Sequence, residues 1–118
     1  MREDYFQVLA ERLRRFADDR DWDQFHAPKN LAMALIVEAA ELVEEFQWLT
    51  TGESADPDSS RRGRIEAEMA DVLIYLVRLA DKLQVDLPAA VEAKLADNER
   101  KYPAEQVRGS SAKYDSYE

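Results

Sequence analysis

The chain has 118 residues, 46% of them hydrophobic and 35% charged, with only 3 Gly and 4 Pro; that is one core's length, and the composition favours helices over a turn-rich sandwich or barrel. No Cys and a single His exclude disulfides, thiolate metal sites, a cysteine nucleophile and His-rich zinc or di-iron centres, so carboxylates are the metal ligands present in number. A formal charge of −9 excludes long-range attraction to a nucleic-acid polymer or an anionic membrane, although a bound cation can reverse the local field for a phosphate-bearing ligand.

Tyr5, Phe6, Leu9, Leu13 and Phe16 recur at spacings of three and four, which predicts an amphipathic helix over 3–19. The polar stretch 18–26 breaks that period and carries Trp22 and Phe25. Pro28 suits a first helical turn, and no Pro or Gly follows before Leu49, so a second helix is predicted over 28–49. Residues 50–60, with Gly52 and Pro57, read as a loop. Ser59 or Ser60 can cap a third helix over 61–84, despite Gly63 in its first turn. Pro88 starts a fourth helix, predicted over 87–101 and ended by Pro103. The short link between the third and fourth helices predicts antiparallel neighbours. A four-helix bundle-like, all-α domain over 1–103 follows, with a mobile polar tail over 104–118. No apolar run of about 18 residues is present, so no membrane span is expected. Met1-Arg2-Glu3-Asp4 opens no signal-like stretch, and a cytoplasmic protein is the expectation.

The second helix carries acids where a core should be. At about 100° per residue, Glu38, Glu41 and Glu45 share one stripe, flanked by Leu35 and Leu42 on one side and Val37 and Trp48 on the other. Ile36, Ala39, Ala40, Val43 and Phe46 fill much of the remaining circumference. A helix apolar nearly all round is buried on more than one side, so these carboxylates do not all reach water easily. The third helix repeats the pattern: Glu68 and Asp71 are i,i+3 neighbours, with Tyr75 one turn on. Two facing helices of this kind can converge four carboxylates on one point, a set suited to Mg²⁺ or Mn²⁺. Such acidic pairs also occur on plain solvated faces, since Glu is a good helix former. On the fourth helix Lys94, Asn98 and Lys101 form a polar face, either simply solvated or able to touch a triphosphate or a base. Trp22, Phe25 and Trp48 are either core or stacking groups for a flat ring. His26, beside Pro28, reads as a capping or loop-packing residue.

Glu38-Ala-Ala-Glu41 followed by Glu68-Met-Ala-Asp71 is similar to the ExxE…ExxD signature of the all-α nucleotide pyrophosphohydrolases, the MazG-like group. The sequence resembles the dCTP pyrophosphatase branch more closely still. The shared blocks are Arg20-Asp-Trp-Asp-Gln-Phe-His26, Pro28-Lys-Asn-Leu31, Glu41-Leu42, Phe46-Gln-Trp48, Asp71-Val-Leu-Ile-Tyr-Leu-Val77, Val85-Asp-Leu-Pro88 and Asn98 through Tyr102-Pro103. The resemblance covers residues 5–103. It implies Mg²⁺-dependent cleavage of a nucleoside triphosphate between the α and β phosphates to a monophosphate and pyrophosphate, with Glu38, Glu41, Glu68 and Asp71 as metal ligands. It also implies that Trp22, Trp48, Tyr75 and Asn98 line the nucleoside pocket, that Lys94 and Lys101 lie near phosphates, and that the chain forms a homodimer or homotetramer. Glu41 or Glu45 would accept the proton of the attacking water. In two places the sequence departs from the pattern. Val37 and Ala40 stand where GExGE has glycines, and Leu13 stands where close relatives carry a His, which leaves base preference open. A hydrolase for non-cytosine or damaged deoxynucleotides is the alternative within this chemistry. A non-catalytic, metal-binding helical oligomer is the alternative outside it.

Overall fold

The structure, a computed structural model, describes residues 4–109. The chain divides into two compact units, Met1–Val85 and Asp86–Glu118. The described residues are helical and turn-forming, with no strand among them, as the composition predicts. No helix of theirs is long and apolar enough to cross a membrane.

The first unit is built on three long helices. α1 (Asp4–Asp19) ends in a left-handed cap. Asp21 takes φ 57, Trp22 N donates to Ala17 O at 2.8 Å, and Asp21 N donates to Asp18 O at 3.1 Å. That pair of bonds is a Schellman closure; Asp tolerates the left-handed position better than most residues. A 3₁₀ turn over Asp23–Phe25 follows, inside the stretch where the apolar period breaks. α2 (Pro28–Glu44) starts on Pro28 in its first turn. It stops short of the expected residue 49: Phe46 N and Gln47 N both turn back to Val43 O, and Leu49 N turns back to Phe46 O.

The expected loop over 50–60 holds a one-turn helix, α3 (Thr51–Ser54). A reciprocal cap makes it: the Thr50 hydroxyl accepts from Glu53 N at 3.1 Å, and Glu53 Oε1 accepts from Thr50 N at 2.8 Å. α4 (Ser59–Leu83) begins two residues early because Asp58, rather than either serine, caps it, accepting from Arg61 N at 2.8 Å. It closes on Gln84 at φ 58 in a second Schellman closure.

Both α1 and α2 pack on α4. The core is small: Ala10 and Ala17 from α1, Leu31 from α2, and Ile65, Val77 and Ala80 from α4. Three of those six are alanines, which let the α1 and α4 backbones approach without filling much volume. The expectation that α2 is buried on more than one side is not met within one chain. Ile36 is 67% exposed, and Met33, Val37 and Val43 are exposed beside it, because α4 covers one face only.

In the second unit α5 (Leu87–Lys101) has the expected limits. Asp86 caps it, accepting from Ala89 N at 3.0 Å, with Pro88 in the first turn. One helical turn, α6 (Ala104–Val107), lies within the stretch expected to be tail. The remainder of that expectation, 110–118, lies outside the described residues.

Candidate functional site

α2 and α4 run antiparallel. As the chain advances from Glu41 to Glu45 on α2, its partners on α4 move back from Glu68 to Arg64 and Arg61. This pairing brings three of the expected acids together. One carboxylate oxygen from each of Glu38, Glu41 and Glu68 lies within 4.8 Å of the other two. Asp71, one turn beyond Glu68, stands beside that group rather than in it, and its charge acts on both Glu38 and Glu68.

The electrostatics of the group are those of crowded, partly desolvated anions. Burial, first, pushes the Glu38 carboxyl up to about 7; the hydrogen bond to Glu41 and the charges of Glu41, Asp71 and Glu68 add to it. Burial and Glu41 likewise raise Glu68. Oε2 of Glu38 and Oε2 of Glu68 are both buried and without a hydrogen-bond partner. Partnerless buried carboxylate oxygens are unfavourable until a proton or a cation meets them. All-oxygen donors, two of them orphaned, fit a hard divalent cation.

Glu45 is not brought into this group. Its Oε1 accepts from Arg64 Nε at 3.1 Å and lies 3.6 Å from Arg61 Nη1, and its main-chain carbonyl accepts from the same Arg61 nitrogen. Tyr75 is half-buried on α4. Trp48, in the turns after α2, is 87% exposed; Trp22 is 45% exposed and meets Phe16 edge-on, with ring centroids 5.7 Å apart. Within one chain, then, Phe16 is a ring partner of Trp22. Lys94, Asn98 and Lys101 lie on α5 in the second unit, where Lys101 and Lys94 pair with Asp97 at 3.2 and 3.8 Å. Those cations, with Arg100, hold Asp97 below the usual carboxylate range, Lys101 contributing most.

The residue-type patterns missed a second polar constellation. Arg78 is 4% exposed; it donates to Asp23 Oδ1 at 2.7 Å and to His26 Nδ1 at 3.1 Å, and lies 3.5 Å from Asp81. Lys82 shares Asp23 at 2.6 Å, and Arg14 reaches Asp81 at 2.8 Å. Lys82 first, then Arg78, lowers Asp23, while burial and those two cations lower His26. The network ties the Trp22 loop to α4. Its only sequence signal was an arginine inside the apolar run Val77-Arg78-Leu79-Ala80. An open groove of about 380 Å³ is lined by the apolar Leu9, Leu13, Phe16 and Ile74 together with Arg12, Arg15 and Arg20.

Residues 33–116 match the model of the MazG-like family. The chain is 52% identical over 114 residues to dCTP pyrophosphatase 1 of Homo sapiens and 48% identical to that of Bos taurus. Each match covers 95% of this chain and 65% of the relative, so the chain spans about two-thirds of the length of these relatives. A crystal structure of a pyrophosphatase from Archaeoglobus fulgidus DSM 4304 is similar with a TM-score of 0.79 and 44% identity, over 84% of this chain and 93% of that one.

Proposed function

The chain belongs to the MazG-like family, and on that premise we propose that it is a magnesium-dependent nucleoside triphosphate pyrophosphohydrolase. Its substrate is dCTP or a 5-modified dCTP, cleaved to the monophosphate and pyrophosphate, with Mn²⁺ able to replace Mg²⁺. The observation that carries the reading is the group of Glu38, Glu41 and Glu68 within 4.8 Å, two of whose members have a partnerless buried oxygen. The likeness to relatives named dCTP pyrophosphatase supports the choice of base.

Glu38, Glu41, Glu68 and Asp71 hold the cation, which when bound supplies Lewis acidity toward phosphate oxygens and toward a water. Asp71 completes the ligand set from beside the three-carboxylate group. Glu41, which links Glu38 and Glu68 by hydrogen bonds, accepts the proton of the attacking water. Trp22, Trp48 and Tyr75 receive the nucleoside, each stacking contact contributing about 1–3 kcal/mol. Lys94 and Lys101 neutralise phosphate charge. The Asn98 amide, donor and acceptor at once, reads the cytosine edge. The enzyme is cytoplasmic, in keeping with the lack of Cys, and works as a homodimer or homotetramer.

A nucleotide panel tests this. Common and 5-modified triphosphates are incubated with Mg²⁺ and the products separated. Pyrophosphate and a monophosphate from dCTP, abolished by EDTA, are expected; orthophosphate as the first product refutes the assignment. In the same assay Trp22→Ala and Trp48→Ala should raise KM, and Asn98→Ala should flatten the ranking of bases.

A further inference from the structure

The contact between α2 and α4 has two rungs one turn apart. One is the acidic group of Glu41 and Glu68 with Glu38; the other is Glu45 with Arg61 and Arg64. Glu41 and Glu45 are i,i+4 on α2, and Arg64 and Glu68 are i,i+4 on α4, so the rungs are separated by about 6 Å along the helices. The first rung is repulsive until a cation arrives, since it places like charges together at the interface of the two helices. The second is attractive and forked. Arg61 holds the main-chain carbonyl of Glu45 just past the last residue of α2, and both arginines face its carboxylate. A guanidinium at a helix C-terminus is favoured both by the carbonyl it meets and by the helix dipole. Arg64 is itself steadied by Ser60 Oγ at 3.0 Å. Glu45 is only 17% exposed, so this pairing is partly shielded from solvent.

From this ladder we infer that Glu45 is a positioning residue. With Arg61 and Arg64 it fixes the axial register and spacing of α2 against α4, and thereby holds Glu41 opposite Glu68 against their own repulsion. It touches neither the cation nor the reacting atoms. The inference rests on the metal-binding reading above, and the test keeps the two apart. Metal-stripped wild type, Glu45→Gln and Arg64→Gln are titrated with Mn²⁺ by calorimetry, with circular dichroism on each, and kcat and KM are then measured at saturating Mn²⁺. The expected result is helical protein in all three and a Mn²⁺ Kd raised about 10-fold or more by Glu45→Gln, the size of effect seen when a ligand's supporting partner is lost. Arg64→Gln, which leaves Arg61 in place, should give a smaller rise; it also serves if Glu45→Gln does not fold. kcat should return to wild type once metal saturates. An unchanged Kd in both variants overturns the inference. So does a kcat that stays low at saturating metal, which would make Glu45 the proton acceptor instead. Failure of wild type to bind Mn²⁺ overturns the metal-binding reading itself.

Discussion

At Glu38 two demands conflict: the proposed ligand role needs an anion, and the surroundings favour the acid. The carboxyl is pushed from 4.5 up to about 7, so the folded, metal-free protein keeps a proton that the unfolded chain has released. Stability of the metal-free protein should therefore fall as pH rises from about 4.5 to 7, since the folded state binds more protons there. In EDTA, Glu38→Gln should melt higher than wild type, and its advantage should widen as pH rises through that window; a constant difference would show that Glu38 does not titrate there. With Mg²⁺ present the order reverses. Replacing Glu38, Glu41, Glu68 or Asp71 by Ala removes a proposed ligand and should cut turnover by more than the roughly 10–100-fold that loss of a supporting partner costs. Any one that retains near-wild-type rate at saturating Mg²⁺ leaves the site. Glu53→Ala removes half of the α3 cap and touches no acid of the group, so its rate should match wild type.

The loop between α1 and α2 depends on α4 through Arg78. Removing that buried guanidinium strips Asp23 and His26 of a charged donor, so Arg78→Ala should cost about 1–3 kcal/mol in urea denaturation. His26 accepts through Nδ1 and so must stay neutral. Its depressed pKa means that stability held above pH 6.5, its ordinary value, is lost as pH falls below it, and Arg78→Ala, which removes the larger of the two charges that add to burial there, should lessen that acid-side slope. Gly63, inside α4, has nothing within 4 Å of a built Cβ, so Gly63→Ala should stabilise by about 0.5–1 kcal/mol. The limits of α5 were legible because Asp86, Pro88 and Pro103 punctuate it. The acids were legible because i,i+3 spacing holds within any helix. The end of α2 was not legible: no Gly or Pro marks residue 45, and it is Arg61, sixteen residues on, that takes the Glu45 carbonyl. α3 carried a readable signal in Thr50 and Glu53, outweighed in the reading by Gly52 and Pro57. The roles of Arg78 and Glu45 depend on which helix faces which, and local pattern holds no record of that.

At the scale of the molecule, α2 leaves a run of apolar side chains uncovered among the described residues. Ile36, Val37, Val43 and Met33 lie exposed on α2, and patches of that kind mark association surfaces. Light scattering at micromolar concentration should give a dimer or tetramer, and Ile36→Asp should shift it toward monomer; a monomeric wild type would count against the proposed assembly. α4 also has a consequence of its own. This single helix of 25 residues carries the Glu45 clamp near its start, Glu68 and Asp71 in the middle, and the Asp23–His26 anchor near its end. Occupancy at the middle should therefore quieten the whole rod. Amide hydrogen exchange of Arg78 to Lys82, and of the Trp22 loop, should slow on adding Mg²⁺, though neither touches the ion. Such a slowing would mean that the proposed nucleoside end stiffens before any nucleotide arrives.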